Sequence, residues 1–325
     1  MKLGKATHPL TGRLLGQFGS DPVVTIPVPR TTGGSLTLSL TFRAALDSFT
    51  GTLSDESNHS ISVQGARHVW TTVRTSAHFA ALYNATHELP APQFNVSTVP
   101  QGIGYTQINV GNVGNTIWTG KLGDGTVITG SGTLWPDGRL PVHLLLYADK
   151  GSFTGVHQIA LDESVTGSLS WSKSGPSSAA DRIYVTGFPE ITLVTTGHKW
   201  ITAAPVFGAT TLSTSFESGG IEVVAQYSLL DQTGALSTKN VLSFPGVSTN
   251  PTRITITLTP LSGLFVGSAT LTDPHPVTNL PTARVLGFSG VLDSTARTGW
   301  GVFTLPSRPI LPVETMTGRV RLNAP

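Results

Sequence analysis

Ser35-Leu36-Thr37-Leu38-Ser39-Leu40-Thr41-Phe42 places a large apolar side chain at every second position, with Ser and Thr between. Successive side chains of a strand point to opposite faces, so this stretch has one apolar face and one hydroxyl-bearing face. That is the pattern of a half-buried antiparallel strand. Arg253-Ile254-Thr255-Ile256-Thr257-Leu258-Thr259 repeats it. Turn signals fall between such runs at Asp124-Gly125, Pro136-Asp137-Gly138, Lys150-Gly151, Ser218-Gly219-Gly220 and Ser262-Gly263. No stretch has a convincing helical period. The best candidate, Thr71 to Thr86, is broken at Asn84 and reads as a connector with at most one helical turn.

Composition agrees. The 325 residues include 36 Gly and 22 Pro, yet only 12% are charged while 38% are apolar. Disorder requires low hydrophobicity with high charge, and helical folds fill their exposed faces with Lys, Glu and Arg. Both are excluded. The expected class is all-β, with antiparallel hairpin repeats forming barrel-like or sandwich-like bodies. The formal net charge is +2, and no run of Lys and Arg exceeds two residues, so nucleic acid is not an expected partner. Cysteine is absent, which removes disulfides, thiolate metal sites and a Cys nucleophile. The opening MKLGKATHPLTGRLLGQF lacks an apolar core and does not read as a signal peptide. No stretch approaches the ~18 consecutive apolar residues of a membrane-spanning helix.

Internal similarity is the most informative feature. An aromatic, then Thr or Val, then Gly recurs at Phe49-Thr50-Gly51, Trp118-Thr119-Gly120, Phe153-Thr154-Gly155 and Phe265-Val266-Gly267. A second glycine follows 14 to 16 residues after the aromatic at Gly65, Gly132 and Gly167. In the fourth copy it comes after 25, at Gly290, with Pro274 and Pro276 marking an inserted loop. A strand glycine marks a bulge, a barrel corner or a close backbone approach. The repeated unit therefore reads as a hairpin with a corner glycine packed under an aromatic, suited to barrels and equally to a sandwich.

These residues carry a resemblance. Pro100-Gln101-Gly102-Ile103-Gly104-Tyr105, Gly120-Lys121-Leu122-Gly123-Asp124-Gly125-Thr126, Asp137-Gly138-Arg139-Leu140-Pro141-Val142, Gly151-Ser152-Phe153-Thr154-Gly155 and Gly167-Ser168-Leu169-Ser170-Trp171 follow one another in order. The series resembles the uncharacterised β-repeat region at the C-terminus of very large secreted or surface bacterial proteins. Leu261 to Gly267, Val285 to Leu292 and Gly299 to Phe303 resemble that region's last unit. The likeness spans roughly residues 80–325 and, more loosely, 1–79. It implies an extracellular or cell-surface location and brings no catalytic motif or ligand with it. Tyr83-Asn84-Ala85-Thr86 departs from the pattern, which has Gly and an aromatic after Tyr-Asn.

The chemical candidates are few. Nine histidines are dispersed, with no HxH, HExxH or i,i+4 pair, so no sequence-local metal site is expected. His143 alternates onto one strand face, where it reads as a packed or surface side chain before it reads as a ligand or base. His87-Glu88 becomes a base pair only if another strand supplies partners. Asp55-Glu56 and Asp162-Glu163 are adjacent carboxylates that point to opposite faces of a strand, unlike a glycosidase pair. Both sit at turn signals, where acidic residues cap loops. No DxDxDG loop, GxSxG elbow or phosphate-binding glycine loop is present. Among the tryptophans, Trp118 takes the repeated aromatic position and Trp171 and Trp300 close repeat strands, so all three read as core. Trp135, beside the Pro136-Asp137-Gly138 turn, is the best candidate for contact with a ligand, because a flat exposed ring can stack on a sugar. No catalytic residue, metal site or cofactor is expected. The sequons at Asn58, Asn84 and Asn95 are short patterns without weight in a bacterial host.

The expected organisation is a partial β unit at 1–79, a barrel-like domain at 80–200 and a second at 201–325. Leu3 to Leu14 reads as a strand pair and Ser35 to Gly65 as the hairpin after it, with nothing matching the opening strands that occupy Tyr83 to Gly120 in the next unit. Unpaired edges recruit strands. Residues 1–79 are therefore expected to be completed by strands from 201–325, by a second copy, or by a partner chain in donor-strand fashion. The alternative is a short self-contained sheet packed on its neighbour. The expected function is a non-enzymatic extracellular structural, adhesion or assembly module, the C-terminal part of a larger surface protein. The alternatives are a carbohydrate-binding module that contacts glycan and a polysaccharide-acting enzyme.

Overall fold

The computed structural model describes residues 2–3, 6–7, 21–30, 34–43, 45, 47–224, 227–244, 250–275, 277–306 and 315–325. Every ladder among them is antiparallel, as the alternating Thr/Ser and Leu/Val/Ile pattern requires. β1 (Lys2–Leu3) and β2 (Ala6–Thr7) form a small pair. The rest of the expected Leu3–Leu14 strand pair lies outside the described residues. β3 (Val23–Val28), β4 (Leu36–Arg43), β5 (Ser48–Ser54) and β6 (Ser60–Ala66) form a four-stranded sheet in chain order.

Two eight-stranded sheets follow, each curled into a nearly closed barrel. The first holds β7 (Leu82–Glu88), β8 (Gly104–Val110), β9 (Asn115–Lys121), β10 (Val127–Thr133), β11 (Arg139–Leu146), β12 (Gly151–Ile159), β13 (Ser164–Lys173) and β14 (Phe188–Lys199). Its order is β10-β9-β8-β7-β14-β13-β12-β11. The second holds β15 (Thr211–Glu217), β16 (Gln232–Leu236), β17 (Leu242–Ser243), β18 (Thr255–Thr259), β19 (Leu264–Pro274), β20 (Pro281–Asp293), β21 (Thr298–Pro306) and β22 (Thr315–Asn323). Its order is β17-β16-β15-β22-β21-β20-β19-β18, and a bridge between Val241 and Thr257 joins its two ends.

The stretch Thr71 to Thr86 is not a connector throughout, because β7 begins at Leu82. Tyr83, Ala85 and His87 alternate into the first barrel, and Asn84, which breaks the helical pattern, points the other way. In the fourth repeat the inserted loop expected at Pro274 and Pro276 is not what the described residues show, and Pro276 lies outside them. The repeat's extra residues lengthen β19 and β20, which pair from Leu264 and Val291 out to Pro274 and Pro281.

Each repeated aromatic can now be placed. Phe49 lies directly opposite Gly65, and a Cβ there would stand 2.1 Å from the ring. Phe265 lies opposite Gly290, where a Cβ would stand 2.4 Å from the ring. Trp118 is opposite Gly130, while Gly132, two residues on, faces Thr116 and touches the far end of the indole. Phe153 is opposite Trp171 and Leu144, and Gly167 faces His157. Phe303 over Gly318 and Phe288 over Gly267 repeat the ring-on-glycine arrangement in the second barrel.

The barrels dock side by side. Asn84 Nδ2 donates to the carbonyls of Ser262 (3.1 Å) and Leu292 (2.9 Å), and Gln107 Nε2 donates to Asn84 Oδ1 at 2.9 Å. Trp200 Nε1 donates to Pro260 O, His198 Nδ1 meets Asp293 Oδ2 at 2.7 Å, and Tyr105, Leu264, Val291 and Val302 form a small apolar cluster. Asn84, 2% exposed, is thus buried in the joint. Within each barrel the rings fill the interior, and Phe153 is only 1% exposed. Phe153→Ala should lower unfolding free energy by ~3–5 kcal/mol, read from the denaturation midpoint.

Candidate functional site

A cleft of about 720 Å³ opens where loops of the two barrels meet. Its walls are Asn95, Ser97, Thr98 and Gln101 before β8, residues 184–186 before β14, residues 218–222 after β15, and Thr315 to Thr317 of β22. The lining combines the hydroxyls and amides of these residues with apolar surface, Val185 and Met316 included.

Two of the walls are held by internal clamps. Gln101 is buried, and its amide turns the chain between 93 and 99 into a compact loop. Its Oε1 accepts the Asn95 N–H (2.8 Å), and its Nε2 faces the carbonyls of Gln93, Val96 and Val99 at 2.9–3.1 Å. The 177–183 segment is fixed by Lys173, whose buried ammonium donates to Asp181 Oδ2 at 2.8 Å and to Ile183 O. Burial pushes the Asp181 carboxyl up, but the Lys173 bond and those from Ser177 and the Ile183 N–H outweigh it and hold the group well below its usual range. Lys173 also lies 4.9 Å from the Tyr147 ring. The Tyr147 hydroxyl accepts from Trp171 Nε1 (2.9 Å) and donates to Asp124 Oδ2 (2.7 Å). Burial raises the Asp124 pKa, against the hydrogen bonds from Tyr147 and Thr126. This network ends one residue before Tyr184, at the cleft wall.

Three hydrogen bonds cross between the barrels at the cleft. Ser218 Oγ donates to Asn95 Oδ1 (3.0 Å), Tyr184 Oη and Thr317 Oγ1 are 3.3 Å apart, and Thr315 N donates to Arg182 O at 2.9 Å. Three non-glycine residues of the lining adopt left-handed backbone: Asn95 (φ 61°), Tyr184 (φ 46°) and Ser218 (φ 65°). A bulky residue such as Tyr pays about 1–3 kcal/mol there, and such strain concentrates at functional sites. The carboxylate of Glu222 is already engaged by the Ser218 N–H. The hydroxyls of Ser97, Thr98, Thr186 and Thr315 have no hydrogen-bond partner among the described residues, and the first three are exposed.

The residues singled out in the sequence lie elsewhere. Trp135 is half-buried at the β10–β11 turn, with the Arg139 guanidinium 4.5 Å from its ring centre. Arg139 in turn bonds Asp137 and, on β6, Gln64 Oε1. One face of the indole is therefore covered at a junction with the four-stranded sheet. Asp55 and Asp162 cap turns, accepting from the N–H groups of Ser57 and His59 and of Ser164 respectively. Glu163 pairs with Lys199 at 2.6 Å. Of the cleft residues, Ser218-Gly219-Gly220 stood out in the sequence only as a turn. Asn95, Gln101, Tyr184 and Thr317 gave no signal, because loops distant in sequence bring them together.

No protein family model matches the chain, and no curated protein does. Solved structures include a distant likeness. It is a point mutant of the vaccine antigen Transferrin Binding Protein B from Haemophilus parasuis Hp5. The identity is 11%, over 88% of this chain and 65% of that one, with a TM-score of 0.22. The chain thus spans under two thirds of that protein's length. So loose a superposition carries no argument about function, and the all-β fold rests on the strands themselves. Among the described residues no helix is long and apolar enough to cross a membrane, which says nothing of strands.

One further cluster is internal. His87 and His157 stack inside the first barrel with ring centres 5.4 Å apart, at the two ends of the cross-strand row His157–Gly167–Thr195–His87. His87 bonds Thr195 Oγ1 (3.0 Å) and Thr106 Oγ1 (2.6 Å), while His157 Nδ1 has no partner among the described residues. Burial lowers both pKa values, that of His87 further through repulsion from His157, and brings His157 to about 4. A histidine with a depressed native pKa binds its proton more readily when unfolded, so stability falls as pH drops from the ordinary value toward the native one. Melting temperature should therefore decline between pH 6.5 and 4, with His157 alone contributing roughly 3 kcal/mol at the acid end. His157→Leu should flatten that decline, and an unchanged profile would refute the assignment.

Proposed function

We propose that the chain is a non-enzymatic adhesion module of the bacterial cell exterior, and that it holds a segment of neutral glycan in the cleft between its barrels. The carrying observation is the chemistry of that cleft: uncommitted Ser97, Thr98, Thr186 and Thr315 hydroxyls beside a carboxylate already engaged by the backbone. Neutral sugars are recognised by hydrogen bonds to hydroxyls and carboxylates, and a lining whose one charged side chain is the Glu222 carboxylate disfavours anionic ligands. The volume of about 720 Å³ falls within the usual range of ligand pockets. The Lys173 and Gln101 clamps support the reading, because loops fixed before binding lose little entropy on binding. The external location rests on the resemblance carried by the Gly-Tyr, Asp-Gly-Thr, Gly-Ser-Phe-x-Gly and Gly-Ser-Leu-Ser-Trp series, and the low charge and absent cysteine accord with it.

A glycan array probed with the full chain tests this. Selective retention of a neutral glycan is expected. Thr98→Val combined with Thr186→Val keeps the shape of the walls and removes two hydroxyls, each contributing about 1 kcal/mol, so roughly tenfold or greater weakening should follow. Retention that is lost with Trp135→Ala but survives the double change would move the site to the β10–β11 turn. Turnover of a retained polysaccharide would replace adhesion with catalysis.

A further inference from the structure

The geometry points to β6 as a pairing edge that joins two copies of this chain, antiparallel and about a two-fold axis. Within the four-stranded sheet the backbone bonds Asp55 N to His59 O and Arg67 N to Asp47 O fix the phase of the β5–β6 ladder. Ile61, Val63 and Gly65 exchange hydrogen bonds with β5. The N–H and C=O groups of Ser60, Ser62, Gln64 and Ala66 therefore point outward, and no described strand pairs with them. At the opposite edge the bond from Phe42 N to Pro22 O fixes the phase of β3 in the same way. There the outward positions are Val23, Thr25 and Pro27, and Pro27 has no N–H to offer. One edge is guarded and the other is not.

The two barrels show what belongs beside β6. β5, β12 and β19 carry the same aromatic-x-Gly signature, so β6 corresponds to β13 and β20; β9 carries it too, and the strand after it, β10, ends its sheet. The far edge of β13 is paired by β14 and that of β20 by β21. Each described strand of 201–325 is engaged in its own sheet, so none completes the four-stranded one. The inner row Ile26–Leu38–Leu53–Ile61 also stops short at this edge: Leu53 is 5% exposed and Ile61 60%.

Charge favours a second copy as the occupant. β6 has no charged residue along its length. Its entry turn carries Asp55 and Glu56, and Arg67 and Arg74 cluster at its exit around Asp47. Antiparallel self-pairing centred on Val63 sets Ser60 against Ala66, Ile61 against Gly65 and Ser62 against Gln64. It brings the acidic turn of each copy to the basic end of the other and continues the apolar row across the seam. Because β3 is guarded, the assembly closes at two copies.

Sedimentation equilibrium of the full chain over a concentration series is the test. A monomer–dimer equilibrium is expected. Ser62→Pro, at an outward N–H, should weaken it at least tenfold, and Thr25→Pro on β3 should leave it unchanged. Should Ser62→Pro fail to fold, Ile61→Lys at the same edge should give the same loss. A chain that stays monomeric throughout overturns the inference, as does a dimer indifferent to both β6 changes. A monomer that instead binds a synthetic peptide copying Phe188–Lys199 would replace the second copy with a foreign strand.

Discussion

Aromatic rings laid over glycines on the neighbouring strand set the shape of this molecule. A barrel of eight short strands has to fill its interior and also bend sharply enough to close, and these demands conflict if every inward position bears a bulky side chain. Phe49 on Gly65, Trp118 on Gly130, Phe265 on Gly290 and Phe303 on Gly318 resolve the conflict in one way. The glycine gives up its own volume, and the ring opposite occupies it. The high glycine content and the modest number of large apolar residues are two sides of this device.

Rigid barrels then make the loops between them precise. Asn84, Gln107, Tyr105 and Trp200 bind one barrel to the other through hydrogen bonds to backbone and hydroxyl groups, beside the His198–Asp293 and Arg319–Glu88 contacts. With that joint fixed, Gln101 and Lys173 hold their loops at the mouth of the cleft, and left-handed Asn95, Tyr184 and Ser218 are kept in place by the surrounding hydrogen bonds. Stability made in the cores is spent as strain at the rim, where loops and ligand-facing hydroxyls coincide.

How much of this was legible in the sequence depended on distance along the chain. Strand alternation at Ser35–Phe42 and Arg253–Thr259 is local, so the fold class could be read directly. The pairing of Phe49 with Gly65 and Phe265 with Gly290 was visible as spacing, because a hairpin turns spacing into opposition. Spacing misled where a nearer glycine existed: Gly130, two residues before Gly132, takes the place opposite Trp118. Gly167 faces His157, and the curl of the neighbouring strands β7, β14, β13 and β12 brings that ring to His87. Thr71–Thr86 reads as a connector, yet its end is β7, because Tyr83, Ala85 and His87 alternate into a barrel that no single repeat contains. The cleft was illegible for a like reason, since its four walls come from segments spread between Asn95 and Thr317. Trp135 drew attention by type and turn context, but sequence gives no view of the Arg139 side chain covering it.

A double-mutant cycle at Trp118 and Gly130 tests the ring-on-glycine account most directly. A Cβ at Gly130 would lie 2.6 Å from the indole carbons, with only ring atoms as its nearest neighbours. The account predicts that Gly130→Ala is strongly destabilising beside Trp118 and close to harmless beside Trp118→Leu, with a coupling energy of about 1–3 kcal/mol in the compensating direction. Additive effects of the two changes on unfolding free energy would contradict it.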